Sequence, residues 1–192
     1  MQQKNNPDVI YIRKAGASLE RLNSLVMELL DVSKIQHGKL GLNISSFNFN
    51  NMLADAVESV QIASKKHIII KSGEIKDKIT GDEQRLKQVV INLLTNVIKY
   101  SPEADKVFVH ASQEDNLVKV SIKDEGIGIS RKNLNKIFER YYREEGQFNH
   151  FHGLGIGLSI SKEIIQRHNG KIWAESEPGK GSTFYFTLPV KS

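Results

Sequence analysis

Val120-Ser-Ile-Lys-Asp-Glu-Gly-Ile-Gly-Ile129 is the stretch on which the fold turns. Val118, Val120 and Ile122 alternate with polar residues, the period of a half-buried strand, and the strand runs directly into Asp124 and two glycines one residue apart. Gly126 and Gly128 can adopt backbone angles closed to other residues. Having no Cβ, they also let the main chain approach a ligand closely. A strand that delivers a carboxylate to the rim of such a loop suits the binding of a base or a sugar. The same Asp-x-Gly-x-Gly pattern occurs in ordinary strand–loop turns, so its meaning depends on its neighbours.

On the upstream side, residues 106–113 and 117–123 read as two alternating strands joined by the turn Glu114-Asp115-Asn116. Before them, residues 82–100 read as a helix with Leu86, Val89, Val90, Leu93, Leu94 and Val97 facing inward. Ser101-Pro102 stops it, because the residue before proline is pushed out of the helical region. Residues 67–71 and 78–80 read as two strands joined by the polar turn around Gly73. Residues 42–47 read as a short strand, followed by a helix to about Ser64 that Asn48 caps. From about Asp8 to Gln36 runs one long helix on which Ile12, Ala15, Leu19, Leu22, Val26 and Leu29 form a coiled-coil seam, widened by Leu25 and Leu30. So wide a stripe needs a partner: a missing N-terminal segment, a second chain or both, unless the helix lies on the globular domain.

On the downstream side, Ser130 is expected to cap a short helix to about Ile137. The segment Phe138-Glu-Arg-Tyr-Tyr-Arg-Glu-Glu-Gly-Gln-Phe-Asn-His-Phe-His-Gly153 has no clear period, and a loop of this length is usually functional or mobile. A helix resumes over residues 156–168 and ends at Asn169-Gly170 in the manner of a left-handed cap. Strands at 171–175 and 182–188, split by the glycine turn at 178–181, close the chain. This order of elements predicts an α+β sandwich, helices segregated against a mixed sheet, preceded by a helical stem. The expected boundary falls between residues 41 and 42.

Composition narrows the function classes. With 192 residues, 39% apolar and 26% charged, the chain suits one soluble globular domain plus a smaller element. There is no apolar run near the roughly 20 residues of a membrane helix and no signal peptide, so membrane attachment is expected only through missing upstream segments. The absence of cysteine excludes disulfides and thiolate zinc sites and fits a reducing cytosol. The net charge of +5 comes from scattered lysines, which demands no nucleic-acid partner. The abrupt start inside helix-forming sequence reads as a cut from something longer.

Two further constellations carry chemistry. Asn92 and Asn96 lie four apart on one helix face, as core amides bonded to backbone or as neutral oxygen ligands for a hard cation such as Mg²⁺. Lys99 follows on the same side as a point charge for a phosphate. Gly153-Leu-Gly-Ile-Gly-Leu158 leads three alternating glycines into a helix N-terminus, which favours an anion. No Gly-Lys-Ser/Thr follows, so this is no P-loop, and no βαβ unit surrounds it as a dinucleotide fingerprint requires. A last glycine turn, Gly179-Lys-Gly-Ser-Thr-Phe184, precedes the final strand.

In this order the motifs resemble the ATP-binding domain of two-component sensor histidine kinases, of the GHKL-type superfamily that includes gyrase-type ATPases. Residues 88–101 look like its N box, Asp124–Ile129 its G1 box, Ile137–Arg143 its F box, Gly153–Leu158 its G2 box and Gly179–Phe184 its last glycine box. The resemblance covers roughly residues 47–189. The stem is similar to the second helix of the family's dimerisation and phosphotransfer hairpin, a four-helix bundle in the dimer. It implies a two-layer Bergerat-type sandwich with the mixed sheet covered by helices on one face, ATP and Mg²⁺ as ligands, a response-regulator receiver domain as partner, and a homodimer.

Carried over, the resemblance implies that Asn96 coordinates Mg²⁺ with Asn92 beside it near the phosphates. Lys99 and Arg143 contact phosphate, and Tyr100 lines the pocket. Asp124 accepts a hydrogen bond from the adenine amino group above Gly126 and Gly128. Phe138 anchors a lid spanning about 130–152. Gly153, Gly155 and Gly157 let the backbone close on the phosphates, Thr183 sits near the adenine, and Ile129, Leu154 and Leu158 complete the nucleotide contacts. Val97 replaces the family's usual alanine, and Leu154 stands where a small hydroxyl residue is common. None of the six histidines lies in the His-Glu or His-Asp pair that accepts phosphate in the family. His37 lies on the wrong helix end, His67 and His110 are expected as partly exposed strand residues, His150 and His152 fall in the lid, and His168 in a helix's last turn. A fragment of this kind should bind nucleotide without autophosphorylating. Rival readings are an ATPase clamp of the same superfamily, which needs a water-activating glutamate where Asn92 stands, and an interaction module with a dead nucleotide site.

Overall fold

The computed structural model describes residues 7–64, 66–143 and 154–190. The chain divides into two compact units, Met1–Leu40 and Gly41–Ser192. In the first, α1 (Pro7–Gln36) is one helix of 30 residues. Proline suits its opening position, where the N–H would be unbonded in any case. The helix ends in a Schellman turn. Gly38 at φ 67 is left-handed, its N–H bonds the Ile35 carbonyl, and the Lys39 N–H bonds that of Lys34. The seam residues Ile12, Leu19, Leu22, Val26, Leu29 and Leu30 are exposed, Ile12 at 71%.

The second unit holds β1 (Ser45–Phe47), α2 (Phe49–Ala63), β2 (Ile68–Ser72), β3 (Ile79–Gly81), α3 (Glu83–Lys99), β4 (Lys106–Glu114), β5 (Leu117–Lys123), α4 (Gly157–Arg167), β6 (Lys171–Glu177) and β7 (Gly181–Pro189). The main sheet has the order β2-β4-β5-β7-β6, with β2 parallel to β4 and the other pairs antiparallel. It is the mixed sheet expected. Val107, Val109 and Ala111 of β4, Val118, Val120 and Ile122 of β5, and Phe184, Phe186 and Leu188 of β7 are all buried. They form the sheet face that meets the helical layer, to which α3 contributes Leu86, Val89, Val90, Leu93, Leu94 and Val97. α2 and α4 pack on either side of α3. Side-chain caps open two of these helices: Asn48 accepts from the Asn51 N–H and Asp82 from that of Arg85. α4 closes as expected, with Asn169 left-handed at φ 58 and the Gly170 N–H on the Ile165 carbonyl.

Three expectations are corrected. The strand expected from residue 42 begins at Ser45, and its partner is β3, through Ser45–Gly81, Ser46–Thr80 and Phe47–Ile79. The two strands expected on either side of Gly73 fall in different sheets, β2 pairing with β4 and β3 with β1. The short helix expected after Ser130 is a series of turns closed by Asn133 N–H to Ser130 O and Lys136 N–H to Asn133 O. The Ser130 hydroxyl that should have capped it is buried without a hydrogen-bond partner among the described residues, so no cap nucleates the helix. Among the described residues no helix is long and apolar enough to cross a membrane.

Candidate functional site

Three close backbone approaches assemble the end of β5. The Gly126 N–H bonds Asp124 Oδ1 at 2.7 Å, and the Ile127 N–H bonds the Tyr100 carbonyl at 3.1 Å. A Cβ on Gly126 would lie 2.2 Å from that carbonyl, so only glycine lets the loop seat on the end of α3. Gly128 is left-handed at φ 71, and a Cβ there would lie 2.1 Å from the Glu177 carbonyl. The final glycine turn brings Ser182 alongside, its carbonyl accepting the Asp124 N–H at 2.9 Å.

Asp124 is thereby fixed at the strand end and only 2% exposed. Burial pushes its carboxyl above the ordinary carboxylate value, opposed by backbone N–H groups of Gly126 and Ser182. It lines a cleft of about 640 Å³, a figure that includes open solvent at the mouth. α3 supplies Asn96, Val97 and Tyr100 to one wall, and the loop after β5 supplies Asp124 and residues 127–129. Asn133, Ile137, Tyr142 and Arg143 come from the segment after Ser130, Leu158 from α4, and Ser182 and Phe184 from β7. The lining thus combines a buried acceptor, apolar side chains, an amide and an arginine.

Of the residues singled out from sequence, Asn96, Tyr100, Asp124, Gly128, Ile129, Arg143 and Leu158 line this one cleft. Gly126 sits just behind it under the Tyr100 carbonyl. Phe138 is buried. Gly155, left-handed at φ 70, accepts the Tyr141 N–H through its carbonyl at 2.9 Å and so ties the start of α4 to the segment that carries Tyr142 and Arg143. Leu154 is exposed. Gly153, His150 and His152 lie outside the described residues.

Four residues are placed differently from expectation. Thr183 pairs with Lys123 and Glu175, so its side chain lies on the sheet face opposite to Phe184. The cleft instead receives Ser182, whose hydroxyl meets Ser176 Oγ at 3.0 Å. Lys99 lines a shallow groove with Val60, Ala63 and Ile98 and holds its ammonium 4.9 Å from the centre of the Tyr100 ring. The Asn92 amide donates to Ser161 Oγ at 2.8 Å, and a Cβ on Gly157 would lie 2.4 Å from Asn92 Oδ1. Asn92 and Gly157 therefore join α3 to the N-terminal turn of α4. His67, expected partly exposed, is buried at 5%.

Val97, Ile127, Ile137, Tyr142, Ser182 and Phe184 also line the cleft, inside the quoted boxes but with no contact assigned to them from sequence, and Asn133 lines it from outside the boxes. For Ser182 the signal existed, since Phe184, Phe186 and Leu188 share its strand parity. Ile137 and Tyr142 fall in the F box, whereas the sequence around Asn133 offers neither motif nor period. Among the described residues no group of three or more His, Cys, Asp or Glu side chains could hold a metal by itself. Among the side-chain oxygens that line the cleft, the Asn96 amide is a hard neutral donor that would suit a Mg²⁺ shared with a phosphate ligand.

The family described as histidine kinase-, DNA gyrase B-, and HSP90-like ATPase matches residues 81–192. The sensor histidine kinase WalK of Bacillus subtilis is 35% identical over 177 residues, 90% of this chain and 29% of that protein. The non-motile and phage-resistance protein of Caulobacter vibrioides is 35% identical over 189 residues, 94% of this chain and 22% of that protein. Among solved structures, the histidine kinase ThkA in complex with the response regulator TrrA superposes with a TM-score of 0.70 at 26% identity, covering 98% of this chain and 54% of that one. Full-length ShkA superposes with a TM-score of 0.79 at 24% identity, over 96% of this chain and 39% of that one. The chain thus spans under a third of the curated relatives' length.

Proposed function

This chain belongs to the family of histidine kinase-, DNA gyrase B-, and HSP90-like ATPases, and on that premise we propose that it is the catalytic ATP-binding part of a two-component sensor histidine kinase, joined to part of its helical stem. Residues 42–192 bind Mg-ATP. Residues 1–41 contribute the second helix of a dimerisation and phosphotransfer hairpin. In the whole protein the γ-phosphoryl passes to a hairpin histidine and then to an aspartate of a receiver domain, a homodimer forming through the stem. The similarity to WalK over most of this chain supports the kinase reading. The ThkA complex with TrrA supports a receiver-domain partner.

The observation that carries the reading is the shared cleft. Asp124, Asn96 and Arg143, far apart in sequence, line one cavity together with Val97, Ile129 and Phe184. Asp124 accepts the adenine amino group, Ser182 stands beside it, and Tyr100 and Ile129 form the walls. Asn96 would hold Mg²⁺, which would supply neutralisation of phosphate charge, and Arg143 would contact phosphate. Phosphoryl transfer asks of a protein mainly this positioning and electrostatic complement. The ATPase-clamp reading is disfavoured because Asn92 stands where a water-activating glutamate is needed, its amide engaged with Ser161.

Calorimetric titration of the chain with ADP, with and without Mg²⁺, tests this. The expected result is binding that Mg²⁺ strengthens in the wild type, with the strengthening lost in Asn96→Ala. No binding under either condition would refute the reading.

A further inference from the structure

α3 ends in front of Pro102, so its last carbonyls have no helical partner. Just beyond its last residue, the carbonyls of Tyr100, Ser101 and Pro102 each accept a donor from another segment. The Tyr100 carbonyl accepts the Ile127 N–H at 3.1 Å, and the Ser101 carbonyl accepts His67 Nε2 at 2.9 Å together with the Ala104 N–H at 3.1 Å. The Pro102 carbonyl accepts the Lys66 ammonium. Of the two contacts from the α2–β2 connection, the histidine's is the buried one. His67 is 5% exposed and Ser101 fully buried. A carbonyl only accepts, so Nε2 carries the imidazole hydrogen, and Nδ1 faces Ser64 Oγ at 3.4 Å as acceptor.

The turn that His67 grips is the seat of the base pocket. Tyr100 itself lines the cleft. Gly126 rests against this turn, a Cβ there falling 2.2 Å from the Tyr100 carbonyl and 2.8 Å from Ser101 Cα. The same loop holds Asp124 through the Gly126 N–H. A shift of the turn therefore moves Tyr100 and the Asp124 loop together.

We propose that His67 is a positioning residue for nucleotide binding: through the Ser101 carbonyl it fixes the turn against which the Asp124 loop is set. It touches no ligand and rests on the reading of this cleft as an adenine-nucleotide site. The connection between α2 and β2 thus takes part in the site from outside it.

The test compares His67→Leu, which removes the donor, with His67→Gln, whose amide nitrogen stands as many bonds from the backbone as Nε2. Amide hydrogen exchange is followed by NMR without nucleotide, and ADP affinity by calorimetry. In H67L the Ile127 amide should exchange about tenfold faster and ADP bind about tenfold more weakly, the scale of one lost hydrogen bond. The β4–β5 ladder should keep its protection, and H67Q should restore both readouts. Unchanged Ile127 exchange and ADP affinity in H67L would overturn the proposal, as would an even rise in exchange across the ladder without rescue by glutamine. If H67L does not fold, H67N replaces it: its shorter amide cannot reach Ser101, so Ile127 protection must fall in H67N and persist in H67Q, and equal exchange in the two overturns the assignment. Failure of the wild type to bind ADP would refute the nucleotide reading alone, because Ile127 exchange is measured in its absence.

Discussion

Gly128 and Gly179 allow the close approach behind the cleft to be measured separately from backbone strain. Both are left-handed, at φ 71 and φ 77. A Cβ on Gly179 meets nothing within 4 Å, whereas one on Gly128 lies 2.1 Å from the Glu177 carbonyl oxygen, 2.8 Å from its carbon and 3.0 Å from Pro178 Cα. Gly179→Ala therefore costs only the left-handed conformation, about 1–2 kcal/mol. Gly128→Ala costs that plus a collision with backbone that cannot rotate away. Overpacking of this sort typically adds about 1–3 kcal/mol. The two loops are also tied by the Gly179 N–H on the Ile127 carbonyl, so relief of the clash displaces residues 127–129 from the cleft wall. Urea unfolding should give a midpoint for G128A below that of G179A, with unchanged slopes, the gap corresponding to about 1–3 kcal/mol. ADP affinity should fall in G128A and hold in G179A. Equal midpoints and equal affinities in the two variants would refute the reasoning, since only the contact with residues 177–178 distinguishes them.

Asp124 sets a pH dependence. Its folded-state pKa stands above the unfolded value because burial disfavours the charge. The stability it contributes is thus complete below the unfolded pKa and is lost as pH rises through the raised one. Asp124→Asn should flatten that decline in denaturation curves taken across the acid range while weakening ADP about 10- to 100-fold, the scale of a hydrogen bond to a charged group; a wild-type pH slope in the variant would contradict this. Ser182→Ala should weaken ADP measurably in the same titration and Thr183→Ala should leave it unchanged, because alternate residues of β7 face opposite sides of the sheet; the reverse order would place the strand in the other register.

Much of this architecture is local in origin and so can be read from the chain. Apolar period marks α3 and β5, Asn48 and Asp82 begin helices because their side chains accept from the first turn, and Asn169-Gly170 ends one because left-handed backbone suits them. The spacing of Asp124, Gly126 and Gly128 likewise announces a carboxylate on a tight loop, since those constraints act within a few residues. What lies beyond local reach is pairing across the chain. Nothing in Ile68–Ser72 states that its partner is β4 and not β3, for parallel partners are chosen by burial of whole faces. The fate of Asn92, joined to Ser161, depends on which neighbour its helix face meets.

Ser182 and Thr183 lie at the border between the two kinds of information. The alternation of Phe184, Phe186 and Leu188 assigns the inner face, but only the sheet, by stacking β7 between β5 and β6, turns that parity into a position in the cleft. His67 shows the same limit: a histidine before a strand carries no mark of burial until the end of α3 brings Ser101 against it. The sequence by itself determines which residues are suited to bind, cap and turn, because those preferences are properties of single residues and their nearest neighbours. Which of them share a cavity is decided by tertiary structure alone, because that follows from how distant faces exclude water together.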